Sequence, residues 1–235
     1  MSGAKAGSSP KLRVSSPARK RTNAGEARGI AVHESQSLLM EMQACRSPAF
    51  VRFLAGELTR SFGDDPAFAP DNLVRLYHRV ERGFIRVDAD EATYPLHVIL
   101  RHRLERHLIA GDLTVADLPG AWNDTMRELL GIVPPNDRLG CLQDIHWPIG
   151  GFGYFPCYTL GAMLAAQLFR AAEAAIPDLL GSIGQGDFAP LLGWVRQNVH
   201  AQGAKPGFEE LVQEATGGPL AAEPFLEHVR ERYLS

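Results

Sequence analysis

The chain of 235 residues is 45% apolar and 22% charged, with a formal net charge of −3, which gives material for a continuous core in one large domain or two small ones. No run approaches the roughly 18–20 uninterrupted apolar residues of a membrane helix, and no apolar stretch follows the basic N-terminus as a secretory signal requires, so a soluble, cytoplasmic protein is expected. Cys45, Cys141 and Cys157 are odd in number, far apart and without CxxC spacing, which argues for buried, reduced thiols and against a disulfide framework or a structural zinc knot.

Residues 1–24 hold Lys5, Lys11, Arg13, Arg19, Lys20 and Arg21 and no acid, so the net negative charge lies wholly in the remainder. This stretch is rich in Ser, Ala and Pro and nearly devoid of large apolar side chains, so it cannot bury enough surface to offset its ordering entropy and is expected to be a disordered basic tail. It has no aromatic interleaving and no binding fold around it, and nucleic acid is not an expected partner.

From Gly25 to Ser235 the pattern is helical. In GEARGIAVHESQSLLMEMQACRS, Ile30, Val32, Leu38, Leu39, Met42 and Cys45 fall largely on a 3.6-residue period, which predicts one helix up to Pro48. A second helix starts at Ser47-Pro48 and stops at Gly63, and a third is expected from an Asp71 cap to Gly83. Phe84, Ile85 and Val87 favour extended backbone, and a short β element is expected near 84–88 before the acids Asp88, Asp90 and Glu91. LHVILRHRLERHLIAG then predicts a helix closed by Gly111. Thr114 caps the next, which Pro119 is expected to kink or split. Residues 132–156 are rich in Pro and Gly and form a long loop of the kind that often carries function. A long apolar helix with Gly161, Ala162, Ala165 and Ala166 follows, suited to close packing, and three short amphipathic helices finish a mainly α chain.

Histidine spacing was tested for metal sites. His97, His102 and His107 recur every five residues, so each is rotated by about 140° from the last and they cannot share one ion. In VHESQSLL the pair His33-Glu34 begins an HExxH, but Ser37 stands where the second histidine belongs. Taken alone, the pair fits a salt-bridged or capped helix surface. The loop string QDIHW gathers Gln143, Asp144, His146 and Trp147. Asp144 can orient His146 through a ring N–H, making His146 a donor toward a proton acceptor or an oxyanion. In GGFGYFPCY the glycines permit close backbone approach, and Tyr154 and Tyr158 offer phenolic donors. A structural loop held together by aromatics is the competing reading, and no GKS/T or GxGxxG phosphate loop is present.

Together, VHESQS, DEATYPLHVILR, GDLTVADLPGAWN, LGIVPPNDRLGCLQDIHW and GGFGYFPCYTLG resemble the C-terminal part of the carboxypeptidase Taq family of zinc metallocarboxypeptidases. The resemblance implies a neurolysin-like, almost wholly helical fold, common dimer formation, and removal of single residues from peptide C-termini with zinc or cobalt. It makes Glu34 the third metal ligand, from the family's HES motif, with His33 and Gln36 in support. It also implies Arg86 or Arg101, with Gln143, for the substrate, His146 for the transition-state oxyanion with Asp144 behind it, and Tyr154 or Tyr158 beside it. The family's HPF, DxRxT and HExxH motifs do not occur in these 235 residues. A lone carboxylate cannot hold zinc or cobalt tightly, so the chain is expected to be truncated and inactive alone. The alternatives are one half of a split peptidase, with a separate N-terminal half as partner, and a non-catalytic helical module for binding or homodimer formation.

Overall fold

A computed structural model describes residues 22–203 and 205–234, with side chains from residue 29 onward. The basic tail expected over 1–24 lies outside the described residues, save for Thr22–Ala24, which begin the first helix. Helix α1 spans Thr22–Leu38 and continues through wider, π-helical turns over Leu39–Ala44. Nine more follow: α2 Pro48–Phe62, α3 Pro70–Tyr77, α4 Tyr94–Ala110, α5 Leu118–Leu130, α6 Pro156–Ala175, α7 Leu179–Ile183, α8 Ala189–Asn198, α9 Phe208–Thr216 and α10 Glu223–Tyr233. The fold is mainly α, with no strand among the described residues.

The punctuation read from the sequence explains several boundaries. At α2, Ser47 Oγ accepts from the Phe50 amide at 3.2 Å, and Pro48 occupies a position where a missing N–H costs nothing. Gly111 closes α4 in the left-handed region, with φ at 82°, which a side chain would disfavour. Pro119 lies in the first turn of α5 and neither kinks nor splits it, because Thr114 Oγ1 accepts from the Asp117 amide in a turn just before.

Two expectations are corrected. The helix read as running from Asp71 to Gly83 starts at Pro70 and ends at Tyr77, and the chain beyond it turns so that the Glu81 amide donates to Asp90 Oδ2 at 2.9 Å. The β element near 84–88 is instead a single 3-10 turn, Arg86–Asp88. Its strand formers meet no neighbouring strand. The Gln143 side chain accepts from the Arg86 amide at 2.9 Å and donates to the Phe84 carbonyl at 3.0 Å, pairing the backbone as a strand would have done.

Two apolar clusters hold the helices. The larger joins the end of α1 to α6, α7, α8 and α9 through Leu39, Leu164, Leu168, Phe169, Ile183 and Leu191, and the smaller joins α4 to α5 through Leu100, Leu104, Trp122, Met126 and Leu130. Each fully buried Leu or Phe contributes about 1.5–3 kcal/mol. Between α1 and α6 the backbones come unusually close. A Cβ on Gly161 would lie 2.7 Å from the Glu34 Cβ and 3.2 Å from the Ser35 amide, so only glycine admits this approach. Cys141 and Cys157 are buried in this interior. Among the described residues no helix is long and apolar enough to cross a membrane.

Candidate active site

Glu34 projects from α1 at the point of closest approach to α6. Its Oε1 accepts from the Tyr154 hydroxyl at 2.9 Å. Tyr154 lies at the end of the glycine-rich loop, and its ring centroid is 5.2 Å from that of Tyr158 in the first turn of α6. Tyr158 OH lies 3.1 Å from His146 Nε2. The His146 ring lies 5.3 Å from the Tyr154 ring and 4.4 Å from that of Phe155. A carboxylate, two phenols and an imidazole thus meet across a span of 120 residues. Close by is a cleft of about 440 Å³ whose lining includes Glu34, Arg46, Arg86, Glu91, Tyr94 and Tyr158.

Beneath His146 lies a buried charge network. Asp144 Oδ1 accepts from Arg86 Nη2 at 2.8 Å and Nε at 3.1 Å, and Oδ2 accepts from Arg101 Nε at 2.6 Å. Arg101 is fully buried, donates through Nη1 to the His97 carbonyl at 2.9 Å, and stacks on Trp122 at 4.6 Å. Burial pulls its pKa down to about 10 despite the opposing pull of Asp144. Burial also works against the charge of Arg86, but Tyr94 and Asp144 outweigh it and leave its pKa raised. Burial pushes the Asp144 carboxyl up, yet Arg101 and Arg86 hold it below the ordinary carboxylate value. The direct bond expected from the His146 ring to Asp144 is not formed. Their separation is 3.7 Å, because both carboxylate oxygens are taken by the arginines. His146 lies below the ordinary histidine value, chiefly through burial and further through Arg86 and Arg101, so the ring is neutral at pH 7 and carries one N–H. Burial raises the Tyr154 phenol, and the Glu34 carboxylate raises it further, so it stays a donor.

The other sequence-derived candidates sit apart from this meeting point. His33 is exposed. Gln36 donates to Ser35 Oγ at 2.9 Å, and its Oε1 lies 3.0 Å from His200 Nε2. Gln143 spends its whole amide on backbone groups of the loop and of Phe84–Arg86. Of the three evenly spaced histidines, His102 and His107 are exposed, whereas His97 is fully buried beside Arg101.

With the geometry in hand, the comparisons with known proteins are decisive. The sequence profile of the carboxypeptidase Taq (M32) metallopeptidases matches residues 14–233. The chain belongs to that family. It is 41% identical over 217 residues to thermostable carboxypeptidase 1 of Thermus thermophilus, and 38% identical over 205 residues to thermostable carboxypeptidase 1 of Pyrococcus furiosus. These alignments cover 91% and 87% of this chain but 42% and 41% of the relatives, so the chain spans about two-fifths of their length and corresponds to the C-terminal portion of the family. Among solved structures, metallocarboxypeptidase 1 of Trypanosoma cruzi superposes with a TM-score of 0.85 at 43% identity, covering 88% of this chain and 43% of that one.

The family is one of metal-dependent peptidases, and the residues present can be tested against that requirement. Among the described residues no three His, Cys, Asp or Glu side chains converge to hold an ion. Glu34 offers a single carboxylate, one oxygen of which is already engaged by Tyr154. These residues do not by themselves fit zinc or cobalt.

Sequence reading missed three participants. Tyr94 accepts from Arg86 Nη1 at 2.5 Å. Glu91 is buried and collects His228 Nε2 at 2.9 Å, Arg232 Nη1 at 3.0 Å and the Tyr233 hydroxyl at 3.1 Å, all from α10. The third is Glu105. One signal was available for two of them: Tyr94, His97, Arg101 and Glu105, spaced three, four and four apart, share one face of α4.

Proposed function

We propose that this chain carries one wall of a metallocarboxypeptidase active site and does not hydrolyse peptides by itself. The observation that carries the reading is the convergence of Glu34, Tyr154, Tyr158 and His146 at one cleft. Donors held in place before reaction stabilise developing negative charge far better than mobile ones. In this reading His146 and the two tyrosines face the oxyanion of the scissile carbonyl, and Glu34 is one metal ligand of a set completed elsewhere.

Arg86 is assigned the C-terminal carboxylate of the peptide. It borders the cleft, and three of its five N–H groups serve Asp144 and Tyr94, which leaves two for a ligand. Arg101, fully buried, is assigned to Asp144 alone. Gln143 is assigned to bracing the Arg86 backbone, and His33 and Gln36 to the surface of α1 around Glu34. Tight binding of zinc or cobalt needs further ligands, so the partner proposed is a second polypeptide that carries HExxH. A row of exposed apolar side chains, Leu142 at 71%, Ile145 at 69% and Ile149 at 73%, lies along the QDIHW segment and supports such a covering chain.

The test is to incubate the purified 235-residue chain with Zn²⁺ or Co²⁺ and an N-blocked dipeptide. No release of the C-terminal residue above the buffer rate is expected. Release that disappears in Glu34→Ala would overturn the reading. Adding a polypeptide with the family's HExxH region is expected to restore release, with dependence on both Glu34 and His146.

A further inference from the structure

Glu105 lies on α4 one turn beyond Arg101 and is only 4% exposed. Its two carboxylate oxygens serve two donors from the long loop. Oε2 accepts from the Trp147 indole Nε1 at 2.8 Å, and Oε1 accepts from the Gly153 amide. Trp147 directly follows His146, and Gly153 directly precedes Tyr154.

The segment joining those two anchors is WPIGGFG, with Gly150 and Gly153 both in the left-handed region at φ 83° and 81°. Glycines give a connector the greatest backbone freedom, so this one cannot by its own stiffness fix the distance from His146 to Tyr154. A single buried carboxylate that grips both ends does fix it. Burying an ionised carboxylate is unfavourable by several kcal/mol unless hydrogen bonds offset it, and an apolar side chain of similar volume would fill the space without that penalty. The chemistry also selects glutamate over glutamine. Both partners are N–H donors, and an amide side chain has one acceptor oxygen and would turn an N–H group toward the other donor.

We propose that Glu105 is a positioning residue: by stapling Trp147 and Gly153 to α4 it sets the placement of His146 relative to Tyr154. The inference rests on the reading above that these two side chains act together in the site. Its test is spectroscopic, so whether the chain alone turns over substrate does not affect the outcome.

The chain has three tryptophans, Trp122, Trp147 and Trp194, and therefore three indole N–H signals in a nitrogen–proton NMR spectrum. In Glu105→Gln the Trp147 signal is expected to move while those of Trp122 and Trp194 stay, which reports an intact fold. The Tyr154 ring signals are expected to move as well. The titration midpoint of His146 is expected to rise by about half a pH unit toward the ordinary histidine value as the ring leaves its buried setting. The groups facing that ring, Asp144, Arg86, Arg101, Tyr154 and Tyr158, are chemically unchanged by the substitution. A Trp147 signal that does not move, or one that moves while the His146 midpoint and Tyr154 signals superpose on those of the parent chain, overturns the proposal. If Glu105→Gln does not fold, Trp147→Phe decides: it removes one of the two donors, and an unchanged His146 midpoint overturns the proposal just as surely.

Discussion

On one side of the cleft, Glu34 is placed by the close approach of two helix backbones, α1 over Gly161 of α6, above a large apolar cluster. On the other side, His146 is placed by a buried network in which Arg86 and Arg101 share Asp144. The first arrangement needs no charge and is indifferent to pH. The second concentrates charges where each one is unfavourable alone, and so depends on every partner being present. The position of a side chain can thus be fixed by shape or by charge, and the two leave different fingerprints in stability.

The sharpest way to break the comparison is Asp144→Ala. It leaves two buried guanidinium groups without their shared carboxylate, and a loss of about 3–5 kcal/mol in urea denaturation is expected. A loss below about 1 kcal/mol would mean that the charged wall is held by packing after all.

Next comes the pH dependence. Burial, reinforced by Arg101 and Arg86, lowers His97 to about 4. Between about pH 6.5 and that value the unfolded chain therefore binds a proton that the folded chain does not, and stability falls as pH falls through this window. The expected loss from His97 is on the order of 3 kcal/mol. His146 and His78, both also lowered chiefly by burial, act in the same direction. Below the ordinary carboxylate range the lowered pKa of Asp144 adds a further loss, complete only when pH passes its folded value. Urea midpoints at pH 7, 5.5 and 4.5 measure the slope, which His97→Gln should flatten. An unchanged slope would assign the effect to other groups.

How far each wall was legible in the sequence follows from the same contrast. Helix α2, bracketed by Ser47-Pro48 and Gly63, and helix α6, with its small residues at 161, 162, 165 and 166, could be read directly, because capping and packing periodicity are local. The charged wall could not. Arg86 and Arg101 precede Asp144 by 58 and 43 residues, and no spacing rule pairs acids with bases across such distances. The error at 84–88 has the same origin. Strand formers were present, but the backbone partner proved to be the Gln143 side chain, visible only after folding. Glu34 was singled out through family resemblance, since His-Glu on a helix has no chemical meaning until Tyr154 meets it from 120 residues away.

The uncharged wall is probed by Gly161→Ala. The added methyl would lie 2.7 Å from the Glu34 Cβ and 3.3 Å from the Ala31 carbonyl oxygen, which neither backbone can yield without separating the helices. A loss of about 1–3 kcal/mol is expected, as for other overpacked cores. It should be the same at pH 7 and pH 5, unlike losses in the charged wall. A pH-dependent loss would show that the two walls are coupled more strongly than their separate means of support imply.

The smallest effect tests that coupling directly. Tyr154 belongs to the charged wall by its ring, which lies against His146, and to the uncharged wall by its hydroxyl, which donates to Glu34. Tyr154→Phe keeps the ring and removes the bond. Glu34 is only half-buried, so water can replace the lost donor, and about 1 kcal/mol is expected, or roughly 2–4 °C in Tm for a chain of this size. The informative quantity is the double-mutant cycle with Glu34→Gln. If the hydroxyl couples the walls, the double variant should lose less than the two single losses combined, by about 0.5–1.5 kcal/mol. Additive losses would mean that the two walls stand independently, with the bond between Tyr154 and Glu34 contributing nothing that solvent does not supply.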